Sequence, residues 1–181
     1  MPLLPEMSTD LLTRASRVTM LILDVDGVLT DGRIVYDEYG DELKFFDVQD
    51  GSGLMLWHRS GLHSAIVTAR KGKLIRRRAN ELHVDVLVQK ALKKFPVYEA
   101  LLKRFRLAPE QVCAIGDDLM ELPILRRVGL AVAVPNAVDE IQAVSHYITK
   151  HSGGRGAVRE VVDLILKAKG LWGEVVKPYQ V

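Results

Sequence analysis

Several protein classes are excluded by what the chain has little of. Of its 181 residues one is a cysteine, Cys113, so no internal disulfide can form; it lies in the apolar run 112–115 and is expected as a small core residue. No apolar stretch approaches the roughly 20 residues that cross a bilayer. Glu6, Asp10, Arg14 and Arg17 interrupt the N-terminal region where a secretory signal would be continuously apolar, so a cytoplasmic location without a membrane partner is expected. A net charge of +2 is too small to indicate nucleic acid. The basic residues Lys71, Lys73, Arg76, Arg77, Arg78, Lys90, Lys93 and Lys94 carry neither a reader motif nor interleaved aromatics, which leaves nucleic acid without a signature. His58, His63, His83, His146 and His151 lack the paired spacing of a zinc site.

Apolar residues at 48% and charged residues at 27% match an ordinary soluble globular chain, and 181 residues suffice for one domain, expected over 1–181. The chain is organised around VTMLILDVDGVLTDG, residues 18–32. The short apolar run 18–23 suits a strand covered on both faces in a parallel sheet. It ends in Asp24 and Asp26, which point the same way along an extended chain about 6.6 Å apart and so can address one ligand. An ordinary strand-end turn is the competing reading, since Asp and Gly are turn residues.

Residues 3–16 have near-helical apolar spacing through Leu4, Met7, Leu11, Leu12 and Ala15. Residues 33–48 hold two extended pieces, 34–36 and 43–48, joined around Gly40, which predicts a β-hairpin flap beside the strand end. Helices are then expected at 54–60, 73–81, 96–105, 121–127, 138–144 and 157–168. Strands are expected at 63–68, 84–88, 112–115, 130–134 and 147–149. This alternation predicts an α/β fold with a doubly wound, mainly parallel, Rossmann-like sheet.

Ligands of such sheets bind past the carboxyl ends of the strands. Thr68 and Gly116-Asp117-Asp118 follow two of the predicted strands, and Lys94 lies just before the helix expected from 96. Asp24, Asp26, Thr68, Lys94 and Asp117 can therefore converge. A hydroxyl and an ammonium suit phosphate oxygens, and three carboxylates suit a hard divalent ion such as Mg²⁺. The combination points to phosphoryl transfer. A phosphorelay receiver would place its phosphoacceptor on a later strand than the first acidic pair, contrary to Asp24 and Asp26.

These motifs resemble the haloacid dehalogenase superfamily of phosphatases: DVDGVLTDG its first motif, Thr68 its second, Lys94 its third and GDDLMELP its fourth. DGRIVYDEYGDELKFFDVQDG, IVTAR and GGRGAVRE are further similar to the capless subgroup acting on 3-deoxy-D-manno-octulosonate 8-phosphate and on nine-carbon keto-sugar acid phosphates. The resemblance implies that Asp24 attacks phosphorus and becomes an aspartyl phosphate, and that Asp26 serves as acid and then base. It implies Mg²⁺ held by Asp24, the Asp26 carbonyl and Asp117, with Thr68 and Lys94 on the phosphoryl oxygens and Asp118 orienting Lys94 or a metal-bound water. Substrate contacts transfer to Asp26, Asp47, Val48, Gln49, Asp50, Gly51, Met55, Arg70, Arg78 and Lys94. An arginine fork suits a keto-acid carboxylate.

The chain departs from the subgroup at Gln49, Ala69 and Glu121, where arginine, glycine and aspartate are usual. These departures keep a catalytically weak scaffold or sugar-sensing domain in view, and Glu121 is left outside the metal shell. With only the flap in place of a cap domain, the resemblance implies a homotetramer. In it the flap packs on a neighbour, and the neighbour's C-terminal region helps close a pocket for a sugar-acid phosphate in lipopolysaccharide precursor synthesis.

Overall fold

A computed structural model describes residues 7–180. Six strands form one parallel sheet: β1 (Met20–Leu23), β4 (His63–Val67), β5 (Val86–Val88), β6 (Val112–Gly116), β7 (Leu130–Ala133) and β8 (Tyr147–Ile148). Their order across the sheet is β5-β4-β1-β6-β7-β8. The chain winds outward from β1 to one edge, returns to β6 and winds to the other, so the β1–β6 boundary is the crevice where doubly wound sheets bind ligands.

Burial explains why these segments are strands. Every residue of β1, β6 and β7 is buried, because helices cover both faces. Leu21 and Leu23 are among the fully buried side chains, and truncating either to alanine would cost about 2–5 kcal/mol. Cys113 is buried in the middle of β6, and burial pushes its thiol well above the ordinary range, which fits the inert core role expected.

The covering helices are α1 (Thr9–Arg17), α2 (Val48–Arg59), α3 (Lys73–Glu81), α4 (Lys94–Phe105), α5 (Leu122–Leu125), α6 (Asp139–Gln142), α7 (Ala157–Ala168) and α8 (Trp172–Val176). Leu3 and Leu4 of the first expected helix lie outside the described residues; α1 starts at Thr9, where Ser8 Oγ accepts the Leu11 amide. In α7 the buried Val158, Val161, Val162 and Ile165 form one apolar stripe. Gly53 lets that helix lie against α2, since a Cβ there would come within 3.2 Å of the Arg159 Cα.

Two expectations around the flap need correction. The hairpin is short, β2 (Val35–Tyr36) paired antiparallel with β3 (Glu42–Leu43), and residues 44–48 do not continue it. Helix α2 begins at Val48, six residues before the expected start at 54, because Asp47 accepts the Gln49 and Asp50 amides and nucleates the first turn. Helix α4 likewise begins at Lys94, so this lysine sits in its first turn.

Candidate active site

The site grows from the carboxyl ends of β1 and β6. After Leu23 the ladder persists for one more bond, from the Asp24 amide to the Ile115 carbonyl, and the chain then turns sharply. The Val25 carbonyl accepts the amides of Leu29 and Thr30, while Thr30 Oγ1 accepts those of Gly27 and Gly32. Gly27 has φ +95°, and a Cβ on it would lie 1.9 Å from Asp117 Oδ2. Only glycine both adopts that conformation and lets the Asp117 carboxylate approach the loop.

Lys94 is buried, 4% exposed, and its ammonium lies 2.5 Å from Asp24 Oδ1 and 2.5 Å from Glu121 Oε1. A cation in the first turn of a helix opposes the helix dipole, so these two carboxylates are what make the position tolerable. Burial works against the charge on Lys94, but Asp24 and Glu121 outweigh it and hold the ammonium above its ordinary range. Burial pushes Asp24 up to about 6, against the pull of Lys94 and with a further push from Glu121. Asp117 is pushed up to about 7 by burial and by the charges of Asp24, Glu121 and Asp118.

Carboxylate oxygens of Asp24, Asp117 and Glu121 lie within 4.8 Å of one another. Asp24 and Asp117, hard oxygen donors whose proton affinity is raised by burial and neighbouring charge, are a fitting cradle for Mg²⁺, which relieves both. Glu121 has its oxygens committed, Oε1 to Lys94 and Oε2 to the Asp118 amide at 3.0 Å, which favours a supporting role over ligation. The Asp26 carboxylate is not among these clustered groups; its Oδ1 accepts from Lys44.

Of the two tasks expected of Asp118, orienting Lys94 falls to Glu121 instead. Asp118 Oδ1 accepts the Leu119 amide at 2.7 Å. Gly116 makes room for the Glu121 side chain, since a Cβ there would meet the Glu121 Cβ at 2.6 Å. Thr68 is buried just past the end of β4, the strand beside β1, and its Oγ1 accepts the Arg70 amide at 3.2 Å.

Asp26 faces the flap. Lys44, whose side chain is 2% exposed, donates to Asp26 Oδ1 and lies 3.1 Å from Glu42 Oε1. Arg70 Nη2 lies 2.7 Å from Glu42 Oε1, and its Nε is 3.7 Å from Asp26 Oδ2. Glu42 and Lys44 were missed in the sequence, although residues two apart in an extended segment share a face. Asn136 was missed as well: its Nδ2 donates to the Gly27 carbonyl and its Oδ1 accepts the Gly153 amide. Gly153 packs so close that a Cβ would sit 1.7 Å from the Gly27 carbonyl oxygen.

Four of the expected substrate residues make structural contacts. Asp47 caps α2, and Asp50, 1% exposed, caps α7 by accepting the Arg159 amide at 2.8 Å and the Gly156 amide at 3.4 Å. Gly51 leaves the space that Arg78 fills, and Arg78 donates to the Asp47 carbonyl while stacking on Phe46. Asp47, Asp50, Gly51 and Arg78 therefore fix the entry to α2. Val48 and Gln49 are exposed on its first turn, and Met55 lines a groove with Val176 and Tyr179. An open cleft of about 660 Å³ over α3, lined by Lys71, Lys73, Arg76 and Arg77, contains none of the clustered carboxylates.

A family profile described as haloacid dehalogenase-like hydrolase matches residues 64–161, and the chain belongs to this family. It is 46% identical to the 3-deoxy-D-manno-octulosonate 8-phosphate phosphatase of Yersinia pestis over 88% of this chain and 86% of that protein. To the enzyme of the same name from Escherichia coli K12 it is 44% identical, over 90% and 87%. Among solved structures, that of the same phosphatase from Moraxella catarrhalis, in complex with magnesium ion, phosphate ion and KDO, superposes with TM-score 0.93 at 38% identity, covering 96% of this chain and 100% of that one.

Proposed function

We propose that this protein is a Mg²⁺-dependent phosphomonoesterase that releases phosphate from 3-deoxy-D-manno-octulosonate 8-phosphate, a step of lipopolysaccharide precursor synthesis. The observation that carries the reading is the meeting of Asp24, Asp117, Glu121 and Lys94 at the β1–β6 switch point. The identity to named phosphatases over most of the chain supports the substrate.

Asp24 attacks phosphorus in line: an Asp24 oxygen bonds to phosphorus as the bond to the sugar oxygen breaks. Asp26 delivers a proton to that leaving oxygen, then takes one from the water that attacks the aspartyl phosphate and frees Asp24. Lys94 and Thr68 hold phosphoryl oxygens, and Glu121 keeps the Lys94 ammonium charged and in place. Mg²⁺ bound by Asp24, Asp117 and the Asp26 carbonyl would neutralise charge between nucleophile and substrate.

Arg70, standing beside Asp26, has the planar fork that suits a keto-acid carboxylate, whereas Arg78 acts through the α2 entry loop. Val48, Gln49 and Met55 are the positions at the start of α2 open to a bound sugar or to a neighbouring copy. The flap exposes Ile34, Tyr36, Tyr39, Leu43 and Phe45, the last 63% exposed. We infer that it meets other copies of this chain in a homotetramer, as the resembling subgroup does. Among the described residues no helix is long and apolar enough to cross a membrane. A cytoplasmic setting goes with this reading, since phosphorylated sugar acids do not cross membranes unaided.

The test is phosphate release from a panel of phosphorylated sugars with Mg²⁺, beside sedimentation of the active species. The reading expects strong preference for the eight-carbon sugar acid and a tetramer. Preference for a nine-carbon acid would replace the substrate, equal turnover of unrelated phosphates would overturn selectivity, absence of turnover would leave a scaffold, and a fully active monomer would overturn the assembly.

A further inference from the structure

We propose that Lys44 is a positioning residue: by binding Asp26 Oδ1 it presents Oδ2 alone to the oxygen of the departing sugar. This rests on the reading of Asp26 as the acid of a phosphomonoesterase. Two independent observations carry it. The Lys44 side chain is 2% exposed and ends on Asp26 Oδ1, with Glu42 as its second partner. Asp26 Oδ2 is buried yet has no hydrogen-bond partner among the described residues, and Arg70 Nε stands 3.7 Å away.

A buried carboxylate oxygen without a partner is costly, so its persistence beside the nucleophile marks a position completed by something else. A free carboxyl interconverts its two oxygens by rotation about the Cβ–Cγ bond. One charge-assisted bond to a buried ammonium stops that rotation and distinguishes the atoms. Glu42 fixes Lys44 in turn and ties Arg70 to the same assembly, so the acid is oriented by the flap rather than by the loop that carries it.

The proton balance is then assigned to one atom. In the first displacement Oδ2–H gives its proton to the bridging oxygen while the electron pair of the breaking phosphorus–oxygen bond moves onto that oxygen. In the second, Oδ2 takes a proton from the attacking water as phosphorus leaves the Asp24 oxygen. Lys44 exchanges no proton in either step.

The experiment compares Lys44→Met, Lys44→Arg and Asp26→Asn by rapid-quench kinetics with Mg²⁺. Phosphoenzyme formation is followed from the sugar-acid phosphate, whose alkoxide needs protonation, and from 4-nitrophenyl phosphate, whose anion leaves unaided. Misorienting an acid by about 1 Å costs roughly 100-fold. Lys44→Met should therefore slow phosphorylation by the sugar phosphate by about that factor and change the 4-nitrophenolate burst less than about threefold, with Lys44→Arg restoring most of the difference. Asp26→Asn should show the same substrate dependence. Equal losses of Lys44→Met on both substrates, or none on either, while Asp26→Asn keeps its dependence, would overturn the role of Lys44. Loss of the dependence in Asp26→Asn would overturn the acid assignment itself, and the proposal with it.

Discussion

Lys94 and Glu121, from different helix entries, meet at 2.5 Å, and the same ammonium lies 2.5 Å from Asp24, the proposed nucleophile. In the proposed mechanism the glutamate thus holds the cation that a phosphoryl group shares with Asp24. Residues that orient a catalytic group typically cost about 10- to 100-fold when removed. Glu121→Gln should lower kcat by that order, while Glu121→Asp, which restores the charge, should retain more activity. Steady-state kinetics with circular dichroism as a fold control checks this.

Metal affinity should depend on pH. With Asp24 and Asp117 as the proposed ligands, Mg²⁺ would displace protons from carboxyls pushed up to about 6 and about 7. If both must ionise, the apparent affinity should fall roughly ten- to twentyfold between pH 7.5 and 6, which calorimetric titration at the two values measures.

Asp50 gives a separate test in stability. Burial pushes it up to about 6 from 3.8, and its two accepted amides only partly offset the cost. A raised carboxyl means that the folded state binds more protons than the unfolded one between those values. Its contribution is therefore most favourable below the unfolded value and is lost as pH rises through about 6. At one pKa unit per 1.36 kcal/mol the loss is on the order of 3 kcal/mol. Asp50→Asn does not titrate, so its stability relative to the native protein should improve from pH 4 to pH 7 in urea melts.

Gly27 and Gly153 should resist even alanine. At 27 the substitution meets both a left-handed backbone and the Asp117 carboxylate; at 153 it meets the Gly27 carbonyl. The left-handed conformation alone costs about 1–2 kcal/mol for a residue with a Cβ. Gly27→Ala and Gly153→Ala should each abolish most activity, whereas Gly173→Ala, with open space around it, should not.

The sheet and the charged groups that gather at its centre were legible because their signals are local. An unbroken apolar run marks a strand buried on both faces, and the polar residue after it must lie at the strand's end. Legibility failed where distant segments decide the role of a side chain. The capping roles of Asp47 and Asp50 were not read: one starts α2 and the other accepts amides of α7, whose sequence lies far away. Gly51 and Gly53 obscured the first turn of α2 because their value is in admitting Arg78 and Arg159. Lys44 carried no signal of its own in the sequence, and its role appears only where the fold places it on Asp26.

The central claim is that Asp24 itself carries the phosphoryl group. Acid quenching during turnover, followed by borohydride reduction and peptide mass analysis, reads this directly. Reduction of the side chain is expected at Asp24 alone, with no modified peptide and no turnover in Asp24→Asn. Trapped phosphate on another residue, or sustained turnover by the Asp24→Asn protein with deamidation excluded, would contradict it.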